Sequence, residues 1–268
     1  MWAMQKRRSI IIQIGWSLDI LKGERKMIKL EHVVLASSEQ MEFIIEGMRN
    51  PMNSWNKTDS FNGCETYKGI SKCLDCDGIR ECGAVNKYLI VGENDHSLMQ
   101  RLSNAGTDHR KFMRMLPVYV RITAPLYWWK EFDTYKVGTT ANSTSTMHKL
   151  ASTPITAECF EIDDYNSDLD YDGTKLGDVI DKHIEFLESM RVKYLETKDK
   201  AYWKELIRWL PSAWQQTRTV TMTYENLLAM CSKGQRRFHK LTEWSKSFID
   251  WARTLPYAQE LIFPDETE

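Results

Sequence analysis

Apolar and polar residues alternate through IKLEHVVLA (residues 28–36), and the paired valines strengthen the prediction of a strand. Ser37 or Ser38 can then cap a helix whose apolar positions 41, 44, 45 and 48 lie on one face. ENDHSLMQRLSNAG (93–106) predicts a second helix, capped by Asn94 or Asp95 and stopped at Gly106. DHRKFMRM (108–115) starts another, and PVYVRITA (117–124) returns to strand alternation. Pro125 suits the first turn of a helix running through LYWWKEFDTYK (126–136). EIDDYNSDLDYDG (161–173) is too polar for anything but a loop. KLGDVIDKHIEFLESMRVKYLETK (175–198) predicts a long amphipathic helix, and KAYWKELIRWLP (200–211) a shorter one ended by Pro211. RTVTMTY (218–224) predicts a strand, and residues 225–255 one or two helices broken near Gly234. Neither a repeat nor a low-complexity linker interrupts residues 27–268. The pattern predicts a mostly helical α+β single domain with a small mixed or antiparallel sheet.

Residues 50–87 stand apart from this pattern. They are rich in Gly and Asn, and Cys64, Cys73, Cys76 and Cys82 define a Cys-rich insertion at about 60–87. The spacing C-x8-C-x2-C-x5-C contains one knuckle pair of the kind that wraps Zn²⁺. Four thiolates leave no open coordination position, so a zinc ion there would be structural; the alternative is a loop of free thiols. Cys159 and Cys231 read as core residues. Asp168, Asp170, Asp172 and Gly173 match the start of a calcium loop, but its twelfth position is Val179 where a bidentate glutamate is needed, so a solvated loop is the reading.

A net charge of −1 with 27% charged residues gives no footprint for nucleic acid. The apolar run at 10–16, IIIQIGW, is far shorter than the roughly 20 residues a membrane span needs. KRR before it lacks a following cleavage site, so the reading is cytoplasmic, with reduced thiols. Residues 1–26 precede a second candidate start at Met27, and two readings stand: a non-native extension, or a genuine N-terminal strand or helix. Ten Trp and eleven Tyr supply flat surfaces that can house a planar ligand. Their density in YWWKEF and AYWKELIRWLPSAW predicts an oligomer held by aromatic surface. The local fingerprints of nucleotide binding and of hydrolysis are missing.

YKVGTTANSTSTMH (135–148) follows the aromatic block with small hydroxyl residues. In this setting it resembles the signature R-H-R-x-x-S-x-N-x-x-S-x-R-Y of the flavin-dependent thymidylate synthases, also called thymidylate synthase complementing proteins. Asn142 and Ser145 match identically and Thr140 conservatively. GMRNPMNSW, LSNAGTDHRKFMRM and PVYVRITAPLYWW precede it in the family's order, and WLPSAWQQTRTVTMTYENLLAM, GQRRFHKLTEW and FIDWARTLPYAQELI follow. The likeness spans residues 27–263. The departures are that Arg-His-Arg becomes Tyr135, Lys136 and Val137, that the later Arg-Tyr becomes Met147 and His148, and that a glutamate becomes Ser143. Bidentate phosphate recognition by those arginines is lost.

The resemblance implies FAD as cofactor and transfer of a methylene group from methylenetetrahydrofolate to dUMP, with a flavin hydride drawn from NADPH. It implies a homotetramer with shared sites. Ser145 would lie beside the nucleotide and Arg236 would polarise uracil, with Arg237 as its rival. Thr140, Asn142, Lys136 and His109 would hold the cofactor, although a lone histidine such as His109 is ordinarily structural. Ser143 and His148 would face the substrate. Trp128 and Trp129 would shield the flavin ring or serve the core. Two other readings remain open: a non-catalytic or re-purposed flavin- or nucleotide-binding protein on the same fold, and a zinc-stapled interaction protein.

Overall fold

The computed structural model describes residues 27–64 and 87–266. Strand β1 (Lys29–Leu35) leads into α1 (Ser38–Arg49) through a capping box in which the Ser37 hydroxyl accepts from Gln40 N and the Gln40 side chain accepts from Ser37 N. Strands β2 (Phe61–Cys64) and β3 (Lys87–Ile90) pair antiparallel, with Cys64 opposite Lys87. They bring the two ends of the Cys-rich segment together; Cys73, Cys76 and Cys82 lie outside the described residues, as does the segment before Met27.

Helix α2 (Glu93–Asn104) follows. Neither expected residue caps it: Gly92 occupies the cap position, and the Asp59 carboxylate accepts from Asn94 N and Asp95 N. That frees Asp95 for the core. It is fully buried and takes Arg49 Nε at 2.6 Å, Thr58 Oγ1 at 2.7 Å, Ser60 Oγ at 2.6 Å and the backbone amides of Asp59 and Ser60. Burial alone would raise its proton affinity, but the hydrogen bonds from Ser60, Thr58 and Arg49 outweigh it and hold the carboxyl below the usual carboxylate range. The predicted helix at 108–115 tightens to a single 3-10 turn, Lys111–Arg114.

Strand β4 (Pro117–Pro125) turns directly into α3 (Leu126–Phe132), with Pro125 as N-cap rather than first helical residue. Then come β5 (Thr140–Ser143), the short α4 (Thr146–Lys149), a two-residue hairpin of β6 (Asp170–Tyr171) and β7 (Thr174–Lys175), and the helical pair α5 (Leu176–Thr197) and α6 (Lys200–Arg208). Strand β8 (Gln215–Thr223) precedes α7 (Tyr224–Cys231) and α8 (Lys233–Arg236). The expected break in this last helical region falls at Ser232, just before Gly234, and again over residues 237–241. A π-helical turn (Glu243–Phe248), α9 (Ile249–Arg253) and α10 (Ala258–Leu261) close the described chain.

The main sheet is antiparallel in the order β1-β4-β8-β5. Its inner face, with Val118, Val120, Ile122, Val220 and Met222, packs against α1, α3, α7 and the C-terminal helices. Trp128, Trp129 and Phe132 on α3 are at most 2% exposed and join Trp244 and Phe248 in this core. That corrects the expectation that YWWKEF forms an oligomer surface. It also settles both tryptophans as core residues rather than shields for a flavin. A separate, smaller core of Leu150, Ile155, Phe160, Leu187 and Leu206 holds the α5–α6 pair. The pair leaves part of its apolar surface open, including Phe186 and Trp209. Among the described residues no helix is long and apolar enough to cross a membrane.

Candidate functional site

The polar run expected as a loop is an edge strand followed by a turn of helix. All four residues of β5 are exposed. Backbone pairing with β8 sets Thr140 opposite Thr221, Ala141 opposite Val220, Asn142 opposite Thr219 and Ser143 opposite Arg218. Directly paired residues share a face, and successive residues alternate. Thr140 and Asn142 therefore belong to the outer face of the sheet, with Tyr119, Arg121 and Thr219, whereas Ser143 shares the inner face with Arg218. The strand divides the candidate cofactor residues from the candidate substrate residue Ser143.

The start of the run is anchored by α7. Asn226 Nδ2 donates to Val137 O at 2.6 Å, across a turn in which Gly138 has φ +82°. The positive φ favours glycine, and a Cβ at Gly138 would in addition lie 3.2 Å from the Asn226 amide oxygen and press on that anchor. Glu225, next to Asn226, receives Arg110 and Arg114 from the segment that contains His109. The first turn of α7 thus joins the His109 segment to the Lys136 turn. Both of those candidate residues are exposed.

The end of the run is held differently. The Ser145 hydroxyl accepts from His148 N at 3.1 Å and caps α4. Gln216 Nε2 donates to Thr144 O at 3.0 Å and to Thr146 Oγ1 at 3.3 Å, and Trp203 Nε1 from α6 donates to Met147 O at 3.0 Å. His148 remains exposed on α4.

Arg218 was not singled out by the sequence. It places a guanidinium beside Ser143, the one cation that β8 brings to the β5 edge. The group lies 4.1 Å over the Trp129 ring, with Nη1 2.7 Å from Asp133 Oδ1 and Nε 2.9 Å from Gln216 Oε1. These contacts fix its plane, and its side chain keeps 15% exposure. With Nε and Nη1 engaged, Nη2 is the part of the guanidinium left to meet a further anionic oxygen, such as one of a phosphate or carboxylate. The available signal was an Arg within an alternating Thr strand, a pattern that reads equally well as a solvated face.

Arg236 is engaged elsewhere. Nη1 donates to Cys231 O at 2.6 Å, and Nη2 meets Asp265 at 2.8 Å and Glu266 at 3.2 Å. It pins the C-terminal segment to the end of α7, while its neighbour Arg237 is exposed. In the acidic loop, Asp168 pairs with Lys175 and Asp170 accepts from Gly173 N, as a solvated loop requires. Among the described residues no group of three or more His, Cys, Asp or Glu is placed to hold a metal ion, and of the four candidate zinc ligands only the backbone of Cys64 is described.

No protein-family model matches the chain, and no curated protein matches it. Solved structures do. The flavin-dependent thymidylate synthase ThyX from Helicobacter pylori, complexed with FAD and dUMP, superposes with a TM-score of 0.54 at 13% identity, over 89% of this chain and 98% of that one. A UMP/dUMP methylase, PolB from Streptomyces cacaoi, bound with 5-Br dUMP, gives a TM-score of 0.51 at 13% identity, over 90% and 96%. The described elements of this chain are therefore built on the fold of the flavin-dependent thymidylate synthases.

Proposed function

We propose that this chain binds a flavin and a pyrimidine nucleotide at the β5–β8 edge and methylates dUMP, with methylenetetrahydrofolate as carbon donor and NADPH as source of reducing equivalents. The single observation that carries the reading is the placement of Arg218 and Ser143 side by side on a strand edge of this fold. Arg218 would take the nucleotide phosphate. Ser143 and His148 would lie towards the substrate, and Thr140, Asn142, Lys136 and His109 towards the cofactor. The exposed hydroxyl and amide groups of β5 are donors suited to phosphates and ring carbonyls. The fit is incomplete on one count: the tryptophans of α3 are buried and provide no stacking plane. A bound flavin would supply the hydride, and the protein position and electrostatics. A strand with every residue exposed encloses nothing alone, so a second copy of the chain would have to provide the opposite wall; a homotetramer, as the resemblance implies, would do so.

A second reading is a flavin- or nucleotide-binding protein without turnover. It is favoured by the engagement of the Arg236 guanidinium with Cys231, Asp265 and Glu266, which leaves uracil without that electrophile. Titration of FAD and dUMP into the purified protein, followed by an assay for dTMP with methylenetetrahydrofolate and NADPH, separates the two. Binding of both with dTMP formation supports the enzyme. Binding without dTMP supports the second reading, and binding of neither ends both.

A further inference from the structure

The two hydrophobic cores meet at a buried polar contact between three elements. Tyr127 on α3 packs against the main core, and Glu243 sits on the π-helical turn that gives Trp244 and Phe248 to that core. Glu161 follows Phe160 of the smaller core, and its backbone N donates to Ala213 O at 2.8 Å. Tyr127 Oη lies 3.0 Å from Glu161 Oε2 and also contacts Glu243 Oε1. Both glutamates are buried, at 5% and 4% exposure. Among the described residues, Tyr127 is the side chain whose hydrogen bonds reach both.

A phenol has one proton, and a carboxylate is an acceptor only. Tyr127 can therefore satisfy one of the two glutamates. The other would present an ionised oxygen to the phenol's lone pairs in a largely buried site, which is unfavourable for a charge left without a partner. A second proton removes the conflict. We propose that Glu161 carries this proton at neutral pH, so that Glu161 Oε2 donates to Tyr127 Oη while Tyr127 donates to Glu243. The chain is then a proton-dependent strap between the two cores.

The charged and titratable surroundings agree with this. Glu243 faces Glu161 from the π-helical turn, Tyr127 from α3, and Asp163 from its own loop, where Asp163 N donates to Glu161 Oε1 at 3.0 Å. The adjoining Ser212 and Ala213 bring no charge. Glu131, one turn along α3, faces His239 at 3.7 Å instead. Among the described residues neither glutamate has a cationic partner. Burial, the leading influence, pushes the Glu161 carboxyl above its ordinary range despite the hydrogen bonds from Asp163 N and Tyr127. Burial, followed by Glu243, pushes the Tyr127 phenol far up, so its proton stays. When the Glu161 proton leaves, two like charges flank one hydroxyl and the strap opens. The smaller core also holds the end of the β5 run, through Leu150 and the bond from Trp203 to Met147 O, so opening would reach the candidate site.

The sign of the effect follows from the direction of the shift. A carboxyl with a raised folded-state pKa contributes stability that is complete below the unfolded glutamate value, about 4.3. The contribution is lost as pH rises through the folded value. Urea unfolding of the wild type and Glu161→Gln from pH 4.5 to 8 tests this, because the glutamine amide donates to Tyr127 at every pH. The wild type should lose stability relative to the variant, by up to about tenfold in the folding constant per pH unit, and then level off. Curves that stay parallel across the range would overturn the proposal. Should the variant fail to fold, infrared spectroscopy of the wild type in D₂O decides: a protonated-carboxyl carbonyl band at pH 7 that vanishes at alkaline pH upholds the shared proton, and no such band at pH 7 refutes it.

Discussion

Replacing Asp95 by alanine removes a fully buried carboxylate and strands its partners. Arg49, 3% exposed, loses the counter-charge 2.6 Å away, and the amides of Asp59 and Ser60 lose an acceptor. Breaking one side of a buried ion pair costs about 3–5 kcal/mol. The two amides add to that only as far as water fails to reach them, so about 4 kcal/mol is the working figure for Asp95→Ala. Against a typical domain stability of about 5–15 kcal/mol the loss is a quarter or more. For a domain of this size it corresponds to a fall in melting temperature of roughly 8–16 °C. Urea unfolding at pH 7 measures it. The double variant Arg49→Met/Asp95→Leu, which removes both charges, should recover at least half of the loss. Because the Asp95 carboxyl is held below its usual range, its contribution is present above the unfolded value of about 3.9 and is lost as pH falls through the folded value, so wild type and Asp95→Asn should converge in acid. A loss under about 1 kcal/mol for Asp95→Ala at pH 7 would refute the view that this pair locks α1 to α2.

Arg218→Ala should weaken dUMP binding roughly tenfold or more, the worth of a hydrogen bond to a charged group, with Arg218→Lys recovering only part; unchanged affinity in a titration would remove Arg218 from the site. Arg236→Ala should cost roughly 1–2 kcal/mol through loss of Asp265 and Glu266 while leaving dUMP affinity intact; the reverse ranking, read from melting curves beside titrations, would return Arg236 to the site. Trp128→Ala, at 0% exposure, should destabilise by about 3–5 kcal/mol in urea unfolding; a loss below about 1 kcal/mol would contradict its place in the core. Metal analysis of protein purified without chelator should find about one zinc per chain, because Cys64, Cys73, Cys76 and Cys82 cluster within nineteen positions and Cys64, the first of them, pairs with Lys87 at the β2–β3 stem; less than about a tenth of an equivalent would reject that site.

The alternation of β1, β4 and β8 and the helical spacing of α1, α2, α5 and α6 were legible because each element buries one face, and burial imposes a period on the sequence. The Ser37 cap was legible for the same local reason, since donor and acceptor lie three residues apart. The order of these elements around the hydroxyl-rich run was enough to suggest the fold. What the sequence could not decide depends on partners far away along the chain. Asp95 reads as a helix cap, but Asp59, thirty-six residues earlier, takes that role and sends Asp95 inward to Arg49. Trp128 and Trp129 read as a ligand platform or as core, and only the packing of α3 against Trp244 and Phe248 settles them inside. The run at 138–146 reads as a loop because it lacks apolar residues. It becomes a strand because β8 offers an unpaired edge, and backbone hydrogen bonds, which carry no side-chain signature, decide that pairing. The same pairing brings Arg218 beside Ser143. Local chemistry fixes caps and periods; which side chains meet across the fold is set by the sheet register and the two cores, and these exist only once the chain is folded.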